Sequence, residues 1–244
     1  FNPASVMRLV EVIQGDTTDE ATLELGMGFA AEIGKTPVRV RECPGFLVNR
    51  ILVRALVEAY RHAEAAGAAR RSADAAVIAS GPAPMGPFAL GDLIGLDVAA
   101  HVRRDLEAAY GDRFEDGGVL DREVTAGRLG DKSGAGLLAG CEETPPDDLG
   151  PEVAERYYLG ALEEACRCLD EEVAALEDID VAVRLGAGWS EGPLEWADNA
   201  GLARLADRMD ALAVAGVDRL RAPELLRARA ERGEPFVVGG DERA

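Results

Sequence analysis

The chain has little that a metal ion, a disulfide or a nucleic acid could use. Of its 244 residues only two are histidine and four are cysteine. Cys166 and Cys168 flank one residue inside a helical pattern, and two histidines cannot complete a Cys/His zinc set. No metal site is expected, and all four thiols read as reduced in a cytoplasmic protein. Lysine is nearly absent: Lys35 and Lys132 are the only two among 26 basic residues. Those 26 face 45 acidic residues, for a net charge of -19. Such a surface repels phosphate backbones and anionic lipid, so no nucleic acid and no membrane partner is expected. No apolar run reaches the ~18 residues that would cross a bilayer. The chain opens in mid-phrase, at Phe1-Asn2-Pro3, which reads as part of something longer.

What is present is a globular composition, 48% hydrophobic and 29% charged, long enough for one or two domains. Residues 6–13 alternate Met7, Leu9, Glu11 and Ile13 on one face and are apolar on the other. That predicts a strand covered on both sides. A helix follows, with Thr17 and Glu20 as its capping box, Leu23, Met27, Ala30 and Ile33 at helical spacing, and Gly34 as its stop. PVRVRE at 37–42 reads as a second strand. After Pro44-Gly45 the rest is helical in pattern, first from about Phe46 to Ala66 with Gly67 as its stop, then from Ser72, and again after the Gly/Pro turn at 81–88. TPPDDLGP at 144–151 is the best linker.

The helical part repeats itself at an offset of 106 residues. Arg50, Leu56, Glu58, Ala59 and Arg61 recur as Arg156, Leu162, Glu164, Ala165 and Arg167. Asp74, Gly86-Pro87, Asp92 and Gly95-Leu96 recur as Asp180, Gly192-Pro193, Asp198 and Gly201-Leu202. Asp112-Arg113 and Gly127 recur as Asp218-Arg219 and Gly233. A Gly-Pro turn, an aspartate and a Gly-Leu pair at one offset mark a duplication.

Glu11 is the oddest residue, a carboxylate among Met7, Leu9 and Ile13; it needs a partner, water at a cleft edge, or a function. Asn49, in an apolar helix start, also needs a partner, and a structural hydrogen bond to the preceding strand would serve. His62 and His101 lie among charged residues and read as solvated. GRLGDKSG at 127–134 imitates a phosphate loop, but no strand precedes it and its lysine follows aspartate. No G-x-G-x-x-G follows a strand, so no complete dinucleotide domain lies in these residues.

Four stretches in order, FNPASVMRLVEV (1–12), GKTPVRVRECPGFLVNR (34–50), APMGPFALGDLIGLDV (83–98) and GRLGDKSGAG (127–136), resemble the C-terminal part of the 3-hydroxyacyl-CoA dehydrogenases. The resemblance covers 1–140, and 150–238 resembles a second, degenerate copy of the same helical domain. It implies a mainly α fold: tandem helical domains of the 6-phosphogluconate-dehydrogenase-like C-terminal kind at 43–140 and 150–238, after a β-α-β end of a Rossmann domain at 1–42. It implies oxidation of an (S)-3-hydroxyacyl-CoA to the 3-ketoacyl-CoA in fatty-acid metabolism, with NAD as hydride acceptor. Glu11 matches the family glutamate that orients and charges the catalytic histidine, and Asn49 the substrate-side asparagine. Asn2 and Lys132 match cofactor-contacting positions. The histidine itself would lie two residues before Phe1, so the 244 residues alone are expected to be inactive. Ser133 replaces the usual threonine, Leu137-Leu138 an aromatic pair, and Glu155 stands where the second copy would need an asparagine. That copy would therefore serve by packing, the two copies pairing across a pseudo-two-fold axis within the chain, with a homodimer also open. A non-catalytic assembly module and a different 3-hydroxyacid dehydrogenase are the competing readings; Glu11, Asn49 and Lys132 in the first copy favour the enzyme.

Overall fold

The computed structural model describes residues 3–141 and 148–237; the first half of the predicted linker, 144–147, lies outside them. Strands β1 (Leu9–Gln14) and β2 (Thr36–Arg41) pair in parallel, from Leu9 opposite Thr36 to Gln14 opposite Arg41. Helix α1 (Glu20–Glu32) joins them, burying Leu23 and Ala30. Two strands cover each other poorly: only Leu9 of β1 is buried, and the two-sided burial expected of it is not met. The other side of α1 leaves Leu25, Phe29 and Ile33 exposed at 74%, 61% and 54%. The cap of α1 is Asp19, not Thr17: Thr18 closes a turn with Gly15 first, and Asp19 Oδ1 then accepts the Thr22 N–H at 2.7 Å. Asp and Thr are both good N-caps, so the later one prevails once the turn is made.

The first repeat comprises α2 (Val48–Ala66), α3 (Arg70–Ser80), α4 (Pro87–Ile94), α5 (Leu96–Tyr110) and α6 (Val119–Thr125). The second comprises α7 (Gly150–Asp170), α8 (Leu176–Ala187), α9 (Pro193–Ala200), α10 (Leu202–Val214) and α11 (Glu224–Arg232). Among the described residues no helix is long and apolar enough to cross a membrane.

The same aspartates do the same work in both repeats. Asp74 accepts the N–H groups of Phe88 and Ala89 at the start of α4, both at 2.9 Å. Asp180 accepts those of Leu194 and Glu195 at the start of α9, at 2.9 and 2.8 Å. Both helices begin Gly-Pro because a Cβ on Gly86 or Gly192 would stand 2.3 or 2.2 Å from the aspartate Cγ. Burial pushes both carboxyls up to about 6, against the pull of those donors. Asp74→Ala and Asp180→Ala should each cost about 1–2 kcal/mol, as lost N-caps do. Urea unfolding should show the two losses to be alike.

Asp92 and Asp198 also correspond, and they locate the end of the repeat. Asp92 accepts from Leu137 and Leu138 at 2.6 and 2.9 Å, Asp198 from Phe236 and Val237 at 2.9 and 2.8 Å. The partners are 99 residues apart rather than 106. The first repeat thus holds seven loop residues, around Lys132, with no counterpart in the second.

Helices α2 and α7 lie against each other, and their charges pair reciprocally. Glu164 accepts from Arg50 Nε at 2.5 Å and Arg113 Nε at 2.9 Å. Glu58 accepts from Arg219 Nε at 2.7 Å, and Arg156 Nη1 lies 3.7 Å away. Each link returns, 106 residues on, from the opposite side. Burial alone would raise the Glu58 carboxyl; Arg54 and Arg219 outweigh it and hold it below the ordinary carboxylate range.

Candidate functional site

The approach to α2 is unusual backbone. Gly45 has φ 78° and Phe46 φ 52°, a left-handed pair closed by the Phe46 N–H on the Cys43 carbonyl at 3.0 Å. A Cβ on Gly45 would come within 2.7 Å of Leu106, so the glycine is required twice over. A bulky residue at positive φ costs energy and is a marker of functional sites. This turn delivers Leu47 and Val48 with their N–H groups forward and no side-chain cap of their own helix.

Glu11 supplies the missing acceptor. Its Oε1 takes the Val48 N–H at 2.8 Å. Burial raises its carboxyl above the ordinary value, while the Val48 and Leu47 N–H groups pull it back. A carboxylate at a helix N-terminus also meets the positive end of the helix dipole. The strand-to-helix hydrogen bond open to Asn49 in the sequence is therefore made by Glu11. Asn49, next in the chain, is exposed, and its side chain makes no hydrogen bond among the described residues. The result is a fixed, partly buried carboxylate beside a free amide at the mouth of α2. Nothing local in the sequence announces the Glu11 contact, which spans 37 residues.

The Lys132 Nζ pairs with Asp97 at the start of α5, both side chains nearly half exposed. Helix α4 attaches to α2 through the Tyr60 hydroxyl on the Pro87 carbonyl, eleven residues from Asn49, or about 16 Å at 1.5 Å per residue. The glycines around Lys132 serve packing: a Cβ on Gly130 would strike the Asp92 carbonyl at 2.3 Å, and one on Gly136 would strike Asp92 Oδ1 at 2.0 Å. Asn2 lies outside the described residues. His101 is exposed as expected, but His62 is mostly buried, 3.4 Å from Glu152 of α7. In the second repeat Glu155 is held by Arg208 at 2.6 Å, and among the described residues no strand leads directly into its helix.

A family model described as the 3-hydroxyacyl-CoA dehydrogenase C-terminal domain matches residues 45–140 and matches again at 153–240. The chain belongs to the 3-hydroxyacyl-CoA dehydrogenase family. The family's NAD-binding domain model matches residues 1–43. A fatty acid oxidation complex subunit alpha from Shewanella amazonensis is 32% identical over 259 residues, 97% of this chain and 36% of that protein. The chain thus spans about a third of that relative. The 3-hydroxybutyryl-CoA dehydrogenase structure from Escherichia coli K12 superposes with a TM-score of 0.85 at 28% identity, covering 95% of this chain and 69% of the other. The (S)-3-hydroxybutyryl-CoA dehydrogenase PaaH1 from Ralstonia eutropha, at 35% identity and a TM-score of 0.53, covers 56% of this chain and 49% of its own.

The described residues do not by themselves fit NAD. Its pyrophosphate is ordinarily held by a glycine-rich strand-to-helix turn and a free helix N-terminus. Here β1 leads into Gly15-Asp16-Thr17-Thr18-Asp19, and the start of α1 is filled by the Asp19 carboxylate, held below its usual pKa by Thr22.

Proposed function

We propose that this chain supplies the C-terminal part of an NAD-dependent dehydrogenase that oxidises (S)-3-hydroxyacyl-CoA to 3-ketoacyl-CoA in fatty-acid oxidation, in the cytoplasm. The observation that carries the reading is Glu11 bonded to the first N–H of α2 with the Asn49 amide free beside it. In the reaction the hydroxyl proton passes to a histidine while hydride leaves C3, and NAD, when bound, accepts that hydride. Glu11 orients the imidazole and stabilises the cation it becomes. The Asn49 amide N–H donates to the substrate oxygen as it changes from hydroxyl to carbonyl. Lys132, and Asn2 with it, would touch the cofactor from the rim. Residues 1–42, 43–140 and 150–238 form the three units, and the second helical unit packs on the first as a built-in partner, replacing half of a dimer; pairing of whole chains is a further possibility of the same family. The reciprocal pairs of Glu58 and Glu164 support that arrangement.

The test joins these residues to a complete NAD-binding domain and follows NADH formation from (S)-3-hydroxybutyryl-CoA. Turnover is expected from the joined chain and none from the 244 residues alone. Glu11→Gln keeps the acceptor for the Val48 N–H but removes the charge, so kcat should fall about tenfold or more while the fold persists. Absence of turnover in the joined chain would overturn the reading.

A further inference from the structure

The reciprocal arginine–glutamate pairs are shared by both repeats, so they would serve any pairing, like with like as well as first with second. Two positions break that symmetry. Arg54 of α2 corresponds to Gly160 of α7, and Val57 corresponds to Glu163. In the structure Arg54 Nε donates to Glu163 Oε2 at 3.1 Å, both side chains wholly buried. At the same crossing a Cβ on Gly160 would lie 3.1 Å from the Arg54 carbonyl, 3.3 Å from Glu58 Cβ and 3.4 Å from Ala55 Cα. The two backbones approach this closely only because one side is glycine.

A pair of first repeats in this geometry would set Arg54 where Gly160 stands, on both sides. Two guanidinium groups would then share the tightest point of the crossing, with Val57 in place of the Glu163 carboxylate and each keeping only Glu58 of its own helix, 3.1 Å away. A pair of second repeats would bury two Glu163 carboxylates opposite Gly160 without Arg54. Each would retain only Arg167, whose side chain is 44% exposed. Burying charges without full partners is strongly unfavourable, and specificity of this kind is built from what the wrong partner leaves unsatisfied.

We propose that the α2–α7 face is a heterotypic lock, one that accepts the opposite repeat of its own chain and rejects a like repeat from a second chain. It rests on the internal pairing put forward above and adds what enforces it. The steric and charge elements are one arginine against one glycine, and one glutamate against one valine.

Five full-length variants test this by sedimentation velocity and thermal unfolding. Arg54→Gly/Glu163→Val makes the two repeats alike at both positions. It should self-associate by exchanging repeats between chains, with a dissociation constant at least tenfold below that of the parent. Arg54→Gly/Val57→Glu/Gly160→Arg/Glu163→Val moves the whole lock to the opposite repeats, and should recover the parent's mass and melting temperature. A first variant that stays folded and associates no more than the parent overturns the lock. Should that variant unfold, the exchanged one decides: parent-like behaviour upholds the lock, and unfolding overturns it. Arg54→Glu, Glu163→Arg and their double form a cycle that probes the pairing itself. Recovery in the double shows the repeats in contact; its absence means the internal pairing fails, whatever the lock does.

Discussion

Asn49→Ala, made in a chain with a complete NAD-binding domain, should lower kcat about 10²-fold and leave the melting temperature nearly unchanged. The amide is exposed and unpaired among the described residues, so its removal strands no protein group. A donor placed where charge changes on the reacting oxygen is worth roughly 3–4 kcal/mol of barrier when lost. Glu155, its counterpart, is the control. It holds Arg208 at 2.6 Å on the surface, a contact worth about 0.2–1 kcal/mol. Glu155→Ala should therefore keep kcat within about twofold. Stability lost with turnover retained in Asn49→Ala would make Asn49 a structural amide and remove it from the site.

Glu164→Ala should be the most destabilising single change of the α7 helix. Its side chain has no exposure, and it neutralises Arg50, also without exposure, and Arg113 at 14%. Removing one partner of a buried pair costs about 3–5 kcal/mol, because the remaining charge stays in a dry interior. For a chain of this size that is on the order of 10 °C in melting temperature. Glu58→Ala should lose somewhat less, since Arg219 would be left without its carboxylate but Arg54 would keep Glu163 at 3.1 Å. A fall of only a degree or two in both would show the pairs to be solvated in solution.

The helices and the duplication were legible because their signals are local or exact in register. Gly67, Gly86-Pro87 and Gly95 end or begin helices by their own backbone chemistry, and the repeated Asp74/Asp180 and Asp92/Asp198 landed on equivalent backbone donors. The cap of α1 was misplaced by two residues because Thr17 and Asp19 both satisfy the same short pattern. Glu11 could be recognised as anomalous from its strand neighbours, but its partner could not, since a contact across 37 residues leaves no spacing to read. The lock between Arg54 and Glu163 was hidden for a different reason. A search for repeats rewards identities, and these two positions matter through their differences. The missing seven residues of the second repeat were equally silent, because they fall after Gly233, where the matches end.

The reciprocal packing of α2 on α7 also sets a timetable for synthesis. The α2 side chains Arg50 and Arg54 meet Glu164 and Glu163 of a helix made 114 and 109 residues later. At about 5–20 residues per second a nascent first repeat would wait roughly 5–20 s with that apolar, arginine-bearing face uncovered. During that interval its nearest equivalent is the first repeat of a neighbouring chain on the same message, the very partner that Arg54 disfavours.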